Sequence, residues 1–276
     1  MVEITTLEMT DLSCLTEAWN RCWQGYFYEM IFTEENLRIW LEHGQIDFKH
    51  CIALKEQDKI VGFTFLSQIN FEGWIAGTAI DPSYRGKRLF APMIRAQIDL
   101  ARSLGVRQIY LEVLSQNFAL HTYQAQGFRH VRELNHYRLT PGTININHAR
   151  SLYADFHQVD LSTYFLSRKK AGFIPSWQRR AQYLKRYASV SAWLNPLETA
   201  GVFYGGMEGK RILDAWAAFD DAAQELLSLF NEHQYGEFSL INQPWDPVTR
   251  NLAFAGVRPT DILYEMVGEW EWGQNK

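Results

Sequence analysis

The chain has 276 residues, a length that suits two compact domains better than one. Its 47% hydrophobic and 21% charged residues supply enough apolar side chains for packed interiors, which excludes a disordered chain. A formal net charge of −4 excludes a basic nucleic-acid module, and neither a membrane-spanning run nor a signal-peptide pattern occurs, so we expect a cytoplasmic protein without nucleic-acid or membrane partners.

The first half predicts helices and strands in a defined order. Apolar residues recur at three- and four-residue steps between Asp11 and Asp47, which predicts two helices. The elements predicted after them are a β-hairpin at 51–54 and 60–66, a strand at 74–80, a helix from Pro92 to Gly105, a strand at 106–114, a short helix at 118–126 and a closing strand pair within 128–139.

The second half repeats part of this order. We predict strand-forming segments at 184–194 and 201–204, a strand at 211–217, a helix at 221–233 and a strand at 237–242. In both halves a helix then ends at a glycine, Gly127 or Gly256, which is followed by an apolar and a basic residue. This echo favours a tandem duplication.

We therefore predict an α/β (α+β) protein of two similar domains, each a mixed, mainly antiparallel sheet flanked by helices. The domains are expected at 1–140 and 150–276, joined by a linker at 141–149. The segment from Arg168 to Arg186 carries basic residues without an intervening acid, and we interpret it as a solvated helix face.

The three cysteines, Cys14, Cys22 and Cys51, have no CxxC spacing. They predict neither a zinc site nor a disulfide framework, and we expect no bound metal. We interpret them as reduced thiols in the core, with a catalytic cysteine as the less favoured alternative.

A polar, basic loop between a predicted strand and a predicted helix carries the main chemical signal. It runs from Ile80 to Phe90 and contains Arg85, Lys87 and Arg88, which would add mobile positive charge. A loop that leads into a helix N-terminus directs backbone N–H groups and the positive end of the helix dipole to one point. This arrangement can bind a pyrophosphate, although a solvated basic turn has the same spacing.

Here the chain resembles the GNAT superfamily of acyl-CoA-dependent N-acyltransferases, whose pyrophosphate loop reads Gln/Arg-x-x-Gly-x-Gly/Ala. Arg85 begins the match, but Arg88 stands at the first motif glycine and Phe90 at the second Gly/Ala position. The resemblance implies acetyl-CoA as co-substrate. It also implies cofactor-binding residues on the strand end, the loop and the segment before the next helix: Ala79, Ile80, Arg85, Gly86, Lys87, Arg88, Leu89, Phe90, Gln116 and Asn117.

A second match to the same family lies between Gln116 and Phe128, where Ala119, Tyr123 and Gly127 fall in the family register. The resemblance implies that a neutral amine attacks the thioester directly. A strand splayed after Trp74 would offer a backbone N–H near Ala79 or Ile80 to the developing oxyanion, and Tyr123 would protonate the departing thiolate.

The base and the acceptor site are predicted less directly. Glu112 is the first candidate for the base and Glu72 the second, and each could equally be a surface carboxylate. Because the first two helices of this fold border the amine side of the cleft, we expect the acceptor to contact the aromatic early segment. The substrate-binding residues predicted are Tyr26, Tyr28, Phe32 and Glu72.

The second half has neither a glycine nor a basic side chain between its predicted strand at 211–217 and its helix, and Leu252 stands at the place of Tyr123. We therefore predict a degenerate domain without a CoA loop. The predicted function is an N-acetyltransferase for a small-molecule or peptide amine. The alternative is a non-catalytic acyl-CoA-binding or regulatory protein.

Overall fold

The computed structural model describes the residues 1–145, 155–206, 208–232 and 236–270. Its strands are β1 (Val2–Thr6), β2 (Ile52–Glu56), β3 (Lys59–Ile69), β4 (Glu72–Ile80), β5 (Gln108–Leu114), β6 (Phe128–Leu139), β7 (His157–Val159), β8 (Ser191–Leu194), β9 (Ala200–Gly205), β10 (Arg211–Ala217), β11 (Phe238–Pro244) and β12 (Asp261–Glu269). Its helices are α1 (Leu12–Cys22), α2 (Glu34–Gly44), α3 (Phe90–Ser103), α4 (Ala119–Ala125), α5 (Leu161–Lys170), α6 (Ala181–Leu184), α7 (Asp220–Asn231) and α8 (Pro247–Phe254).

The chain divides into two compact units that are not two consecutive segments. Unit 1 contains Met1–Val131 and Glu265–Lys276, and unit 2 contains Arg132–Tyr264. The predicted bounds of 1–140 and 150–276 differ from this division because β6 begins in unit 1 and continues in unit 2, and β12 ends in unit 1. The predicted linker at 141–149 lies partly outside the described residues.

In unit 1 the sheet has the order β1-β2-β3-β4-β5. The first three pairings are antiparallel and β4 pairs with β5 in parallel, so the predicted hairpin and third strand are confirmed. The end of β12 also belongs here, since Gln108 Nε2 donates to Glu269 Oε1 over 2.8 Å and Arg129 forms a 3.1 Å ion pair with Glu269. Strands from both chain termini therefore complete this sheet.

The core of unit 1 fixes the segment between α1 and α2. Trp19 is fully buried and stacks on Phe32 and Phe63, with ring centroids 5.0 and 5.8 Å apart. Its indole nitrogen donates to Met30 O over 2.7 Å, and Asn20 exchanges two hydrogen bonds with the backbone of Phe32. The segment is thus tied back onto α1.

Unit 2 also consists of sheets flanked by helices, so the predicted fold class is confirmed. Strands β7 to β10 form an antiparallel sheet in the order β10-β9-β8-β7, and the second half of β6 pairs antiparallel with β11. Apolar side chains of α7 and α8, such as Leu226 and Val248, pack in one core with Val202 and Ala215 of β9 and β10.

Three local predictions need correction. Residues 128–139 form one continuous strand rather than a pair. The segment 184–194 begins with the last residue of α6, Leu184, and forms a strand only from Ser191. Cys14 is exposed and is not a core thiol, whereas Cys22 and Cys51 are buried. No helix within the described ranges is both long enough and apolar enough to cross a membrane.

Candidate active site

Strands β4 and β5 separate after a short paired stretch. Their parallel pairing covers only Glu72–Trp74 with Gln108–Tyr110 in the described residues of both strands. Beyond Trp74, β4 remains paired with β3, and a register shift lies opposite the step from Phe65 to Leu66. The splay predicted after Trp74 is therefore present, and the β5-facing edge of β4 is open where Ala79 and Ile80 lie.

The residue that follows β4 anchors the loop. Asp81 is buried, accepts the Ser83 N–H over 2.9 Å and forms ion pairs with Arg21 (2.8 Å) and Lys59 (3.2 Å). Burial alone would raise the pKa of Asp81, but the hydrogen bonds from Ser83, Lys59 and Arg21 outweigh it and lower the pKa. The carboxylate thus fixes the start of the loop.

Two residues of the loop adopt the left-handed backbone conformation. Gly86 has a φ of +75° and Arg88, at the first motif glycine, has a φ of +60°. An L-residue adopts this left-handed region at a cost, so Arg88 supplies the turn that glycine normally supplies. In the part of the chain that the structure describes, no side chain caps the N-terminus of α3 at Leu89, which leaves its backbone N–H groups suited to an anion.

Arg85 is fixed rather than mobile, contrary to our prediction. Its Nε donates to Ile80 O over 3.0 Å, and its Nη2 donates to Cys22 O over 2.9 Å and to Gln24 O over 2.7 Å. The guanidinium therefore joins the end of α1 to the end of β4. Lys87 is exposed, and its Nζ lies 4.4 Å from the centroid of the Tyr84 ring.

A cavity of about 640 Å³, here called the cleft, lies where these elements meet. It brings together nine of the predicted site residues: Tyr26, Ala79, Ile80, Arg85, Gly86, Arg88, Leu89, Phe90 and Asn117. The predicted residues that do not line it are Tyr28, Phe32, Glu72, Lys87, Glu112, Gln116 and Tyr123. The strand end, the loop and the segment before α4 thus border one cavity.

Tyr123 lies behind the cleft wall. Its ring makes edge-to-face contacts with Phe90 and Phe128, with centroids 5.5 and 5.7 Å away. Burial raises the pKa of Tyr123 to about 12, and an interaction with the Thr78 side chain opposes this shift. Thr78 itself lines the cleft and donates to Thr64 Oγ1 over 3.0 Å. Tyr123 therefore lies beside Thr78, which is part of the cleft lining.

The two predicted base candidates do not reach the cleft. Glu112 Oε2 accepts the indole N–H of Trp74 over 2.5 Å, so this carboxylate is held between β5 and β4. Glu72 stands at the start of β4, where it pairs with Gln108 of β5. Glu72 lies at the paired end of the two strands, and Glu112 follows the paired stretch of β5 and is bonded to the last paired residue of β4, Trp74. Neither lines the cleft.

A second cavity, of about 450 Å³, lies in the segment that joins α1 and α2, and is here called the loop cavity. Trp23, Gly25, Tyr26 and Phe27 line both this cavity and the cleft. Tyr28, a predicted substrate-binding residue, lines the loop cavity only. Phe32, another predicted substrate-binding residue, packs in the core on Trp19 instead.

Among the described residues, the cleft contains no reactive thiol, and no cluster of metal-ligand side chains occurs. Cys22 lines the cleft, but burial raises the pKa of its thiol to about 12, so it stays protonated and is a weak nucleophile. Within the described ranges no group of three or more His, Cys, Asp or Glu side chains is placed to hold a metal ion.

Several residues that line the cleft were not singled out by the sequence, among them Thr78 and Phe118. Thr78 is half-buried on the splayed part of β4, and Phe118 is 87% exposed before α4. A hydroxyl two residues before the end of the splayed strand was an available signal for Thr78. Phe118 lies inside the second family match, but it is not one of the residues that define that match, so the sequence did not mark it as a cleft residue.

Comparison with known proteins agrees with this geometry. Residues 6–128 match the model of the Acetyltransferase (GNAT) family. This part of the chain is a GNAT domain. The match begins at the end of β1 and ends where β6 begins, so it contains the splayed strands, the loop and α4. No curated protein matches the sequence.

Solved structures share the fold over nearly the whole chain. A protein of Pyrococcus horikoshii described as an acetyltransferase superposes with a TM-score of 0.69 at 13% identity, covering 98% of this chain and 90% of its own. GCN5-related N-acetyltransferases from Sphaerobacter thermophilus and Anabaena variabilis give TM-scores of 0.65 and 0.64 at 11% and 14% identity. They cover 100% and 97% of this chain and 98% and 72% of their own. At these identities the likeness establishes the fold alone.

The described residues of unit 2 lack the features that form the cleft of the GNAT domain. In order, β10, α7 and β11 correspond to β4, α3 and β5, but α7 follows β10 almost directly and carries Asp220 and Asp221 in its first turn. Two carboxylates at this helix N-terminus would repel a pyrophosphate. Asp220 is further occupied by Arg250, 2.9 Å away.

A buried arginine fills the space between β10 and β11, which lie in different sheets. Arg179 donates to Asp214 Oδ1 (2.7 Å) and Ala215 O (2.5 Å) of β10 and to Gln243 Oε1 (2.6 Å) of β11. Arg168 donates to Asp214 Oδ2 over 2.5 Å. The prediction of a solvated basic face is therefore wrong for these two arginines, which are 1% and 5% exposed.

Proposed function

We propose that the GNAT domain transfers the acetyl group of acetyl-CoA to a primary amine. The observation that carries this proposal is the convergence, in one cleft, of the open edge of β4, the left-handed loop and the uncapped N-terminus of α3. These are the backbone features that an acyl donor with a pyrophosphate requires. The cytoplasmic location stays a prediction.

The residues of the cleft fit such a donor. The N–H groups at the start of α3 would bind the pyrophosphate, with Arg88 beside them as an exposed positive charge. Asn117, which lines the cleft, would bind the amide groups of the donor's arm. The backbone of Ala79 or Ile80 on the open edge of β4 would donate a hydrogen bond to the carbonyl oxygen as negative charge develops there.

The reaction balances without a further reagent. The amine nitrogen forms a bond to the carbonyl carbon, the carbon–sulfur bond breaks, and the amine loses one proton while the sulfur gains one. We assign the proton donated to sulfur to Tyr123, delivered beside Thr78, because a phenol of pKa about 12 keeps its proton at neutral pH. Glu112 and Glu72 do not line the cleft. We therefore propose that the amine loses its proton to water. Glu112 could then act only through water, by accepting the proton that this water has taken up.

The alternative, a non-catalytic acyl-CoA-binding protein, rests on the placement of Phe90. Its ring lies against Tyr123 at the position where the family has Gly or Ala, and no carboxylate lines the cleft among the described residues. Thiol release from acetyl-CoA in the presence of a broad amine panel separates the two. Binding of acetyl-CoA by calorimetry without thiol release for any amine would establish the alternative.

The loop conformation predicts an unusual response to glycine. Replacing Arg88 by Gly should give a protein about 1 kcal/mol more stable than Arg88→Ala, because the alanine keeps the left-handed strain and glycine removes it. Urea unfolding measures the difference. The matched control is Lys87, whose φ is not positive: there Gly should be less stable than Ala. The same order of stability at both positions would contradict the left-handed assignment.

The contents of unit 2 predict the stoichiometry. We expect calorimetric titration with CoA to give one site per chain, because Arg179 fills the space between β10 and β11 and two carboxylates occupy the N-terminus of α7. The control is Arg88→Glu, which places a negative charge in the loop of the GNAT domain and should weaken that single site. Two equivalent sites in the unaltered protein would refute the division of roles between the units.

A further inference from the structure

The loop cavity has the composition of a cation site. Its walls include four aromatic rings, those of Trp23, Tyr26, Phe27 and Tyr28. Tyr26 is central, with ring centroids 4.6, 5.3 and 6.1 Å from those of Trp23, Phe27 and Tyr28, all in edge-to-face arrangements. The face of an aromatic ring carries negative potential, so a positive group that lies over the face of one of these rings is attracted to it.

One carboxylate completes this composition. Glu29 lines the loop cavity, and none of the lining residues is Lys, Arg or His. Glu29 is exposed and forms no hydrogen bond or ion pair with any described residue. Its negative charge is therefore uncompensated beside the four rings. Arg85 is near, at Gly25, but it lines the cleft rather than the loop cavity and is bonded to three backbone carbonyl oxygens.

The two cavities share a wall. Because Trp23, Gly25, Tyr26 and Phe27 line both, the two cavities adjoin across these residues. The cleft receives the reacting nitrogen, which must be neutral to attack. The loop cavity is suited to the opposite charge state, a group that stays positive throughout.

We propose that the loop cavity binds a permanent or protonated cationic group of the acceptor, held by Glu29 and the rings around Tyr26, at a distance from the reacting amine. This inference rests on the proposed function, because it takes the acceptor to be an amine. The acceptor class is then a primary amine that carries a second, cationic nitrogen. That nitrogen is unchanged by the reaction, in which only the primary amine exchanges a proton for the acetyl group.

Matched acceptors test the proposal. The first is a series of primary alkylamines that end in a trimethylammonium group, with spacers of different length; the second is the same series ending in an uncharged tert-butyl group of equal shape. For the best spacer we expect kcat/KM with acetyl-CoA to be about tenfold higher for the cation. Glu29→Gln should remove most of this preference by raising KM for the cation only, with KM for acetyl-CoA unchanged. Glu17→Gln, an exposed carboxylate on α1 that lines neither cavity, should keep the preference.

The outcomes separate this inference from the proposed function. Acetylation of both series without a preference for the cation, or a preference that Glu29→Gln leaves intact, would overturn the cation site and leave the acetyltransferase standing. If no amine is acetylated, calorimetry of the trimethylammonium and tert-butyl compounds with the CoA-bound protein decides the site. A Glu29-dependent preference for the cation would support it without turnover, and equal binding of the two would refute it.

Discussion

Replacing Tyr123 by Phe should lower turnover about a hundredfold or more while the protein stays folded and keeps its affinity for CoA. The substitution removes only a buried hydroxyl, and the ring contacts with Phe90 and Phe128 remain. Without the phenol, the thiolate must take its proton from water. Steady-state kinetics with acetyl-CoA and calorimetric binding of CoA measure the two effects separately.

The pH profile sharpens this test. Because the pKa of Tyr123 is raised to about 12, the phenol keeps its proton through pH 7 to 9, and activity should rise over this range as the amine becomes neutral.

Tyr110→Phe is the matched control: its hydroxyl bonds to Gln108 over 3.2 Å and does not line the cleft, so turnover should change little. Turnover of Tyr123→Phe equal to that of the unaltered protein across pH would end the general-acid assignment. A loss of the same size in Thr78→Val would support delivery of the proton at Thr78.

The sequence predicted the cleft because its parts are local in the chain. A strand, a loop with Gly86 and a helix N-terminus follow one another within the stretch from Trp74 to Ser103. Such a stretch has signals that periodicity and turn chemistry can detect. Periodicity and turn chemistry could not predict the positive φ of Arg88, since a non-glycine residue adopts a positive φ only where its surroundings require it.

Long-range pairings account for what was missed. Arg85 bonds to carbonyl oxygens 63 and 61 residues earlier, so its fixed position has no local signature. The end of β12 joins unit 1 from the far end of the chain, which no compositional boundary marks. Strand β1 contains only two apolar residues, too few for a periodic signal. The base candidates Glu112 and Glu72 were chosen by their positions along the strands. Such a position does not show whether a side chain lines the cleft.

The basic segment of the second half is the clearest case. Arg168 and Arg179 read as solvated charges because their partner, Asp214, is 46 and 35 residues away. Charged side chains are almost never fully buried unless they are paired, and a single sequence does not show the pairing. Their burial reveals a buried charge network inside unit 2.

Replacing Asp214 by Asn should therefore lower the free energy of unfolding by about 3 kcal/mol or more, the usual effect of removing one partner from a buried ion pair. Asp214 is fully buried and accepts hydrogen bonds from Arg168, Arg179 and Tyr164. Asparagine has the same shape, but it leaves two buried arginines without their counter-ion. Urea unfolding at neutral pH measures the loss.

Acidification provides an independent readout of the same network. Burial alone would raise the pKa of Asp214, but the charges and hydrogen bonds of the two arginines lower it below the ordinary value of 3.8. A lowered pKa in the folded state means that the carboxylate stabilises the fold above about pH 4 and that this contribution is lost as the pH falls below it. The difference in unfolding free energy between the unaltered protein and Asp214→Asn should thus shrink on acidification.

Asp220→Asn is the control for an exposed ion pair. It breaks the pair with Arg250 and should lower the free energy of unfolding by at most about 1 kcal/mol. Equal losses at the two positions would show that the buried arginines do not depend on Asp214 for their charge balance.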